Sequence, residues 1–177
     1  MVFQLFLVET KRYFLTFTNY QLKMIQRIQT VFLLVATILL IFLLFFPISE
    51  FLRTTDQTIF EFGFKGLTNE SGDHAITFFS VPFSLLVAIC LLLTLVTIFL
   101  YKKRMLQIRL STFNIVILVG LQGLMFYYIK AAQTALPGEV SYTIFFVFPF
   151  VAAILVFLAL RAIARDEALV RSLDRLR

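Results

Sequence analysis

The chain has 177 residues, 60% of them hydrophobic and 15% charged, with a mean hydropathy of +0.94. Soluble domains hold roughly 45–50% apolar and about 25% charged residues, and here the apolar excess falls in blocks, which excludes an ordinary soluble domain. The formal net charge of +6 does not signal nucleic acid, because Lys and Arg flank the apolar blocks in the orientation pattern of a membrane protein.

The first 23 residues do not form a span. Residues 2–8 and 13–17 are apolar, but Glu9, Lys11 and Arg12 interrupt them. Three charges at mid-bilayer would cost roughly 7–10 kcal/mol, and about ten apolar residues at about −0.5 kcal/mol each do not offset that. A signal peptide fits poorly, because the charges follow the apolar stretch and no small-residue cleavage site appears. Two readings stay open: an amphipathic helix on the membrane surface, or a translation start at Met24.

Four segments are long enough to span: residues 28–48, 76–101, 110–129 and 140–160. About 20 helical residues cross a hydrocarbon core of about 30 Å. No Lys, Arg, Asp, Glu or His lies away from the ends of these segments, so the usual pointer to transport or proton relay is missing. Backbone groups in lipid must pair internally, which makes each segment a helix. Phe, at 23 residues, dominates the aromatics, and Trp is absent. Tyr101, Tyr127, Tyr128 and Tyr142 fall near predicted span ends, where interfacial anchors belong.

Orientation follows from basic residues. The N-terminal segment, the loop between spans two and three and the C-terminal tail carry Lys11, Arg12, Lys23, Arg27, Lys102, Lys103, Arg104, Arg109, Arg161, Arg165, Arg171, Arg175 and Arg177. The other two loops carry only Arg53, Lys65 and Lys130. Thirteen against three places both termini and the basic loop in the cytoplasm.

In the first external loop, residues 49–75, Phe60, Phe62 and Phe64 alternate with Glu61, Gly63 and Lys65, which is strand periodicity. Residues 69–73 read as a turn, and His74 onward as a returning strand, so a small β-hairpin is expected to cap the bundle. The second external loop turns at Pro137-Gly138. The tail, residues 161–177, has no Gly or Pro and should continue the fourth helix as a cytoplasmic extension. Leu169, Val170, Leu173 and Leu176 share one face of it. Glu167 and Arg171 stand at i,i+4 and Arg171 and Asp174 at i,i+3, where ion pairs support a helix.

Candidate sites are few. Gly120, Gln122 and Gly123 read as a helix-packing site rather than a pore lining, since small residues allow close approach and an amide bonds across it. Pro149 within the fourth span and Pro82 early in the second predict kinks, more often static bends than hinges. Cys90, the single cysteine, reads as a buried small hydrophobe. His74 beside Asp73 and near Glu70 is a poor metal site without a second His. No nucleophile–base pair or acid pair suggests an enzyme, and no cofactor is expected. Lys102, Lys103, Arg104 and Arg109 in the basic loop suit anionic lipid as readily as a partner. Arg171, Asp174 and Arg175 in the tail carry more charge than orientation needs, beside an apolar stripe that calls for cover.

Three stretches resemble one family. They are the opening Met24-Ile25-Gln26-Arg27-Ile28-Gln29-Thr30, the loop Tyr101-Lys102-Lys103-Arg104-Met105-Leu106-Gln107-Ile108-Arg109-Leu110, and the closing Arg165-Asp166-Glu167-Ala168-Leu169-Val170-Arg171-Ser172-Leu173-Asp174-Arg175-Leu176-Arg177. The closing motif is the most specific. The family is domain of unknown function 4293, found mainly in Bacteroidota, and the resemblance runs from about Met24 to Arg177. It implies a four-span inner-membrane protein and no particular activity. Residues 1–23 depart from its pattern, which favours the start at Met24.

The expected architecture is therefore an all-α, four-transmembrane-helix bundle over residues 24–177 in the bacterial inner membrane, N-in and C-in. Its expected contacts are membrane lipids and a protein partner on the cytoplasmic side, with no nucleic acid. The leading function is a non-enzymatic structural or accessory subunit. The alternative is a small transporter or lipid-handling protein, which would need a polar, continuous cavity reaching Asn114 or Gln122.

Overall fold

The computed structural model describes residues 28–53, 58–69, 74–76, 81–101, 103–135 and 138–174. The segment before Ile28, with both readings of residues 1–23, lies outside them.

Among the described residues four helices are long and apolar enough to cross a membrane: α1 (Ile28–Phe45), α2 (Val81–Phe99), α3 (Arg104–Ala135) and α4 (Phe148–Asp174), the last entered through a 3₁₀ turn at Ile144–Val147. α2, at 19 residues, is about 28 Å long and close to one hydrocarbon thickness. α3, at 32 residues, is about 48 Å long, so it tilts or protrudes. Its basic first turns continue the helix beyond the apolar block expected for span three. α4 runs unbroken to Asp174, as the lack of Gly and Pro in the tail implied.

Both prolines sit at helix entries. Pro82 is the second residue of α2, where a first-turn N–H has no partner within the helix. Pro149 is the second residue of α4, where the 3₁₀ turn passes into the α-helix. The kinks expected at these positions are replaced by helix starts.

The connections α1–α2 and α3–α4 meet in one antiparallel sheet, larger than the single hairpin expected. Its strands are β1 (Ser49–Arg53), β2 (Ile59–Gly63), β3 (Gly66–Asn69), β4 (His74–Ile76) and β5 (Gly138–Tyr142), in the order β4-β3-β2-β1-β5. The returning strand expected from His74 is β4, which pairs antiparallel with β3. An additional tight turn falls at Phe64-Lys65, with Gly63 opposite Gly66, where Gly66 takes a φ of 99° open to glycine at little cost. Two corrections follow: Ile76, expected to open span two, and residues 140–142, expected to begin span four, are strand. A short apolar run does not distinguish strand from helix by period, and here Val140 pairs with Phe51 and Tyr142 with Ser49.

One face of the sheet closes the bundle. Ser49, Phe51, Phe60, Phe62 and Leu67 are buried, whereas Glu50, Leu52, Glu61, Glu139 and Ser141 are exposed, the alternation that a half-buried antiparallel sheet requires. The Phe62 ring packs against Phe83 of α2 (centroids 5.6 Å apart) and Tyr128 of α3 (6.1 Å). Ser84 donates to the Phe64 carbonyl, tying the first turn of α2 to the β2–β3 turn. Ile48 donates its N–H to Phe62 O at 2.7 Å and accepts from Thr143 N–H at 3.1 Å, linking both connections to the exit from α1. Phe42, Phe46, Phe145 and Phe148 join α1 to the entry of α4, with Phe46 stacked on Phe145 at 4.6 Å.

Below the sheet, Leu33, Ala36, Leu40 and Leu43 of α1, Phe83, Val87 and Cys90 of α2, Leu118, Leu121 and Met125 of α3, and Ala152, Val156 and Ala159 of α4 form one core. The opposite faces expose Phe99, Phe113, Val116, Ile144 and Phe157, as expected of helices whose outer surface meets lipid.

Candidate functional site

The end of the bundle opposite the sheet holds the start of α1, the α2–α3 turn and the far end of α4. In the turn, Lys103 N–H donates to Leu100 O at 2.9 Å, and Lys103 O then accepts from Gln107 N–H at 3.0 Å, which starts α3.

At this turn end the candidate contact residues separate. Lys103 and Arg109 are exposed. Arg104 turns inward instead, its Nη1 lying 3.0 Å from Asp166 Oδ2, with the two side chains 26% and 2% exposed. Lys102 and Arg175 lie outside the described residues, as do the side chains of Arg171 and Asp174 at the end of α4. On the tail's apolar stripe Leu169 is exposed and Val170 half-buried, while the side chains of Leu173 and Leu176 fall outside the description.

Asp166 is absent from the candidates drawn from the sequence, yet the sequence carries a signal for it: Ala152, Val156, Ala159, Ile163 and Asp166 recur at helical spacing and all are buried, so an acid continues an apolar stripe.

The interior beside this ion pair is polar. Arg104, Gln107, Ser111 and Asn114 follow one another along α3 in steps of three and four, and the last three are buried. Asn114 Nδ2 donates to Thr94 Oγ1 at 2.8 Å, and Gln107 Nε2 donates to Thr97 O at 3.2 Å. Thr94 and Thr97 return their hydroxyl protons to Cys90 O and Leu93 O, both at 2.7 Å, which satisfies a hydroxyl inside an apolar helix. From Leu118 onward the same face is apolar. In the sequence Asn114, Thr94 and Thr97 stand out as polar residues inside apolar spans, whereas Gln107 and Ser111 precede or open the apolar block and give no such signal.

Gly120 and Gly123 pack against no helix of this chain. They face outward, and a Cβ at either would meet nothing within 4 Å. The bundle contact of α3 is made by Leu118, Leu121 and Met125, and among the described residues nothing packs closely on the two glycines. Gln122 and Gly123 instead edge an apolar groove of about 410 Å³ between α3 and α4, lined also by Phe126, Phe146 and Phe150. Cys90 is fully buried, as expected. The His74 side chain, Asp73 and Glu70 lie outside the description. Among the described residues no group of three or more His, Cys, Asp or Glu could hold a metal ion.

Four helices long and apolar enough to cross a membrane, a sheet over one end and a polar interior at the other define the class of the fold, a helical bundle of membrane-protein type. The chain belongs to the family described as domain of unknown function (DUF4293), whose model matches residues 25–176. No curated protein matches it.

Proposed function

We propose that the protein is a non-enzymatic structural or accessory subunit of the bacterial inner membrane, which engages a protein partner through its turn end. The observation that carries this reading is the far end of α4. The helix continues past the apolar block with Leu169 exposed one turn beyond the exposed Arg165, and Lys103, Arg109 and Arg161 are exposed at the same end of the bundle. An exposed apolar side chain beside a base at a helix end suits a partner surface, and the bases suit anionic headgroups. The excess of basic residues on this side supports placing it in the cytoplasm.

The transport alternative is weaker. Asn114 is fully buried and bonded to Thr94, and the groove beside Gln122 is apolar, with the exposed Val119, Phe126 and Phe150 in its lining. Purification in mild detergent tests the reading. A stoichiometric companion that accompanies the wild type and is lost on Leu169→Glu is expected. A wild-type protein that always runs alone overturns it.

A further inference from the structure

The polar stripe inside the turn end has more hydrogen-bonding capacity than the surrounding protein uses. Gln29, Ser111, Asn114 and Asp166 are each at least nine-tenths buried. Yet among the described residues Gln29 Nε2, Ser111 Oγ, Asn114 Oδ1 and Asp166 Oδ1 meet no hydrogen-bond partner, and outside the stripe neither do Ser49 Oγ at the sheet and Gln122 Oε1 at the edge of the α3–α4 groove. Buried polar groups in folded proteins are almost always paired, and those not paired by protein are commonly paired by ordered water. The demand is stronger within a membrane, where no bulk solvent reaches the interior.

We infer that this stripe is a water-binding site: a short file of water molecules admitted from the turn end beside Arg104 and Asp166, reaching Asn114 and stopping at Leu118. Three features select water. The unpaired set mixes acceptors (Asn114 Oδ1, Asp166 Oδ1), a donor (Gln29 Nε2) and a hydroxyl that does both, so the ligand must donate and accept. Among the described residues the charges on the stripe, Arg104 and Asp166, neutralise each other, so a neutral ligand is favoured over an ion. The ligand must also be small, because Thr94, Thr97, Gln107 and Asn114 already bond across the α2–α3 contact.

The file is about 15 Å long, the rise from Arg104 to Asn114 on one helix face. It does not cross the bundle, because Leu118 and Leu121, the next residues on that face, are fully buried among the core side chains. The inference is independent of any partner. It makes the turn-end interior hydrated and the apolar core at Leu118 and Leu121 dry.

The test uses the full-length protein in proteoliposomes and a small, charged methanethiosulfonate reagent. Cys90 is the single native thiol, lies in the core and serves as the internal control. Ser111→Cys should add one reactive thiol per chain, while Leu121→Cys and the wild type stay unlabelled. Equal silence of Ser111→Cys and Leu121→Cys overturns the inference. Ser111→Ala gives a second reading that does not depend on reagent access. A hydrated hydroxyl predicts a thermal midpoint no higher than the wild type. A dry, unpaired hydroxyl predicts a clear rise, and that rise also overturns the inference.

Discussion

Arg104, the first residue of α3, and Asp166, near the end of α4, form an ion pair of 3.0 Å whose carboxylate is almost wholly enclosed. The pair fastens the α2–α3 turn to the helix that carries the proposed partner surface. Removing one member of an enclosed pair strands the other charge. Arg104→Ala leaves the buried carboxylate alone and should cost about 2–3 kcal/mol. This is below the roughly 3–5 kcal/mol of a fully enclosed pair, because Arg104 keeps 26% of its side chain exposed. Asp166→Asn should cost less, since the stranded guanidinium reaches solvent more easily. Chemical denaturation of both single variants and the double variant measures the coupling, and additive costs would show that the pair contributes nothing.

The β1–β5 pairing joins two loops separated by more than eighty residues, with Leu52 opposite Glu139 on the exposed face. Facing residues of an antiparallel pair lie within disulfide reach. Leu52→Cys with Glu139→Cys should form a disulfide on mild oxidation, seen as a cross-linked peptide by mass spectrometry. Leu52→Cys with Val140→Cys places the thiols on opposite faces and should not. Equal cross-linking in both variants would contradict the register.

Phe62 is buried between Phe83 and Tyr128, at the junction of the sheet with α2 and α3. Phe62→Ala should cost about 3–5 kcal/mol, through lost burial and the cavity left behind. Phe45 is highly exposed at the end of α1, and Phe45→Ala should change the thermal midpoint little in detergent. Similar losses from both would mean that the sheet does not seat on the bundle through Phe62.

Gly120 and Gly123 have open space where a Cβ would go, and both lie inside a helix. Alanine favours a helix interior over glycine by up to about 1 kcal/mol. Gly120→Ala and Gly123→Ala should therefore be neutral or stabilising in thermal unfolding. A marked loss of stability would restore a close helix contact at this face.

Orientation is open to a direct test. A reporter active only outside the cytoplasm should work when fused after Thr55, between β1 and β2, and stay silent when fused after Arg177. The reverse pair of results would move the basic turn end out of the cytoplasm, and the proposed partner surface with it.

The sequence by itself determined the number of helices, their approximate extent and the asymmetry of basic residues. These follow from local composition: a charge-free apolar run of helical length has one favourable arrangement in lipid wherever its neighbours lie. The Phe60 and Phe62 alternation likewise announced a strand from local period alone. Only the tertiary structure decided that β1 and β5 meet, that Gly120 and Gly123 face away from the bundle, and that Arg104 belongs to Asp166 rather than to a surface. Each depends on partners distant in the chain, and a helix that is apolar all round carries too weak a periodicity to say which side faces its neighbours. The polar stripe lies between these cases. Its residues stand at helical spacing in the sequence, but their inward direction appears only once α2 and α4 are packed against α3.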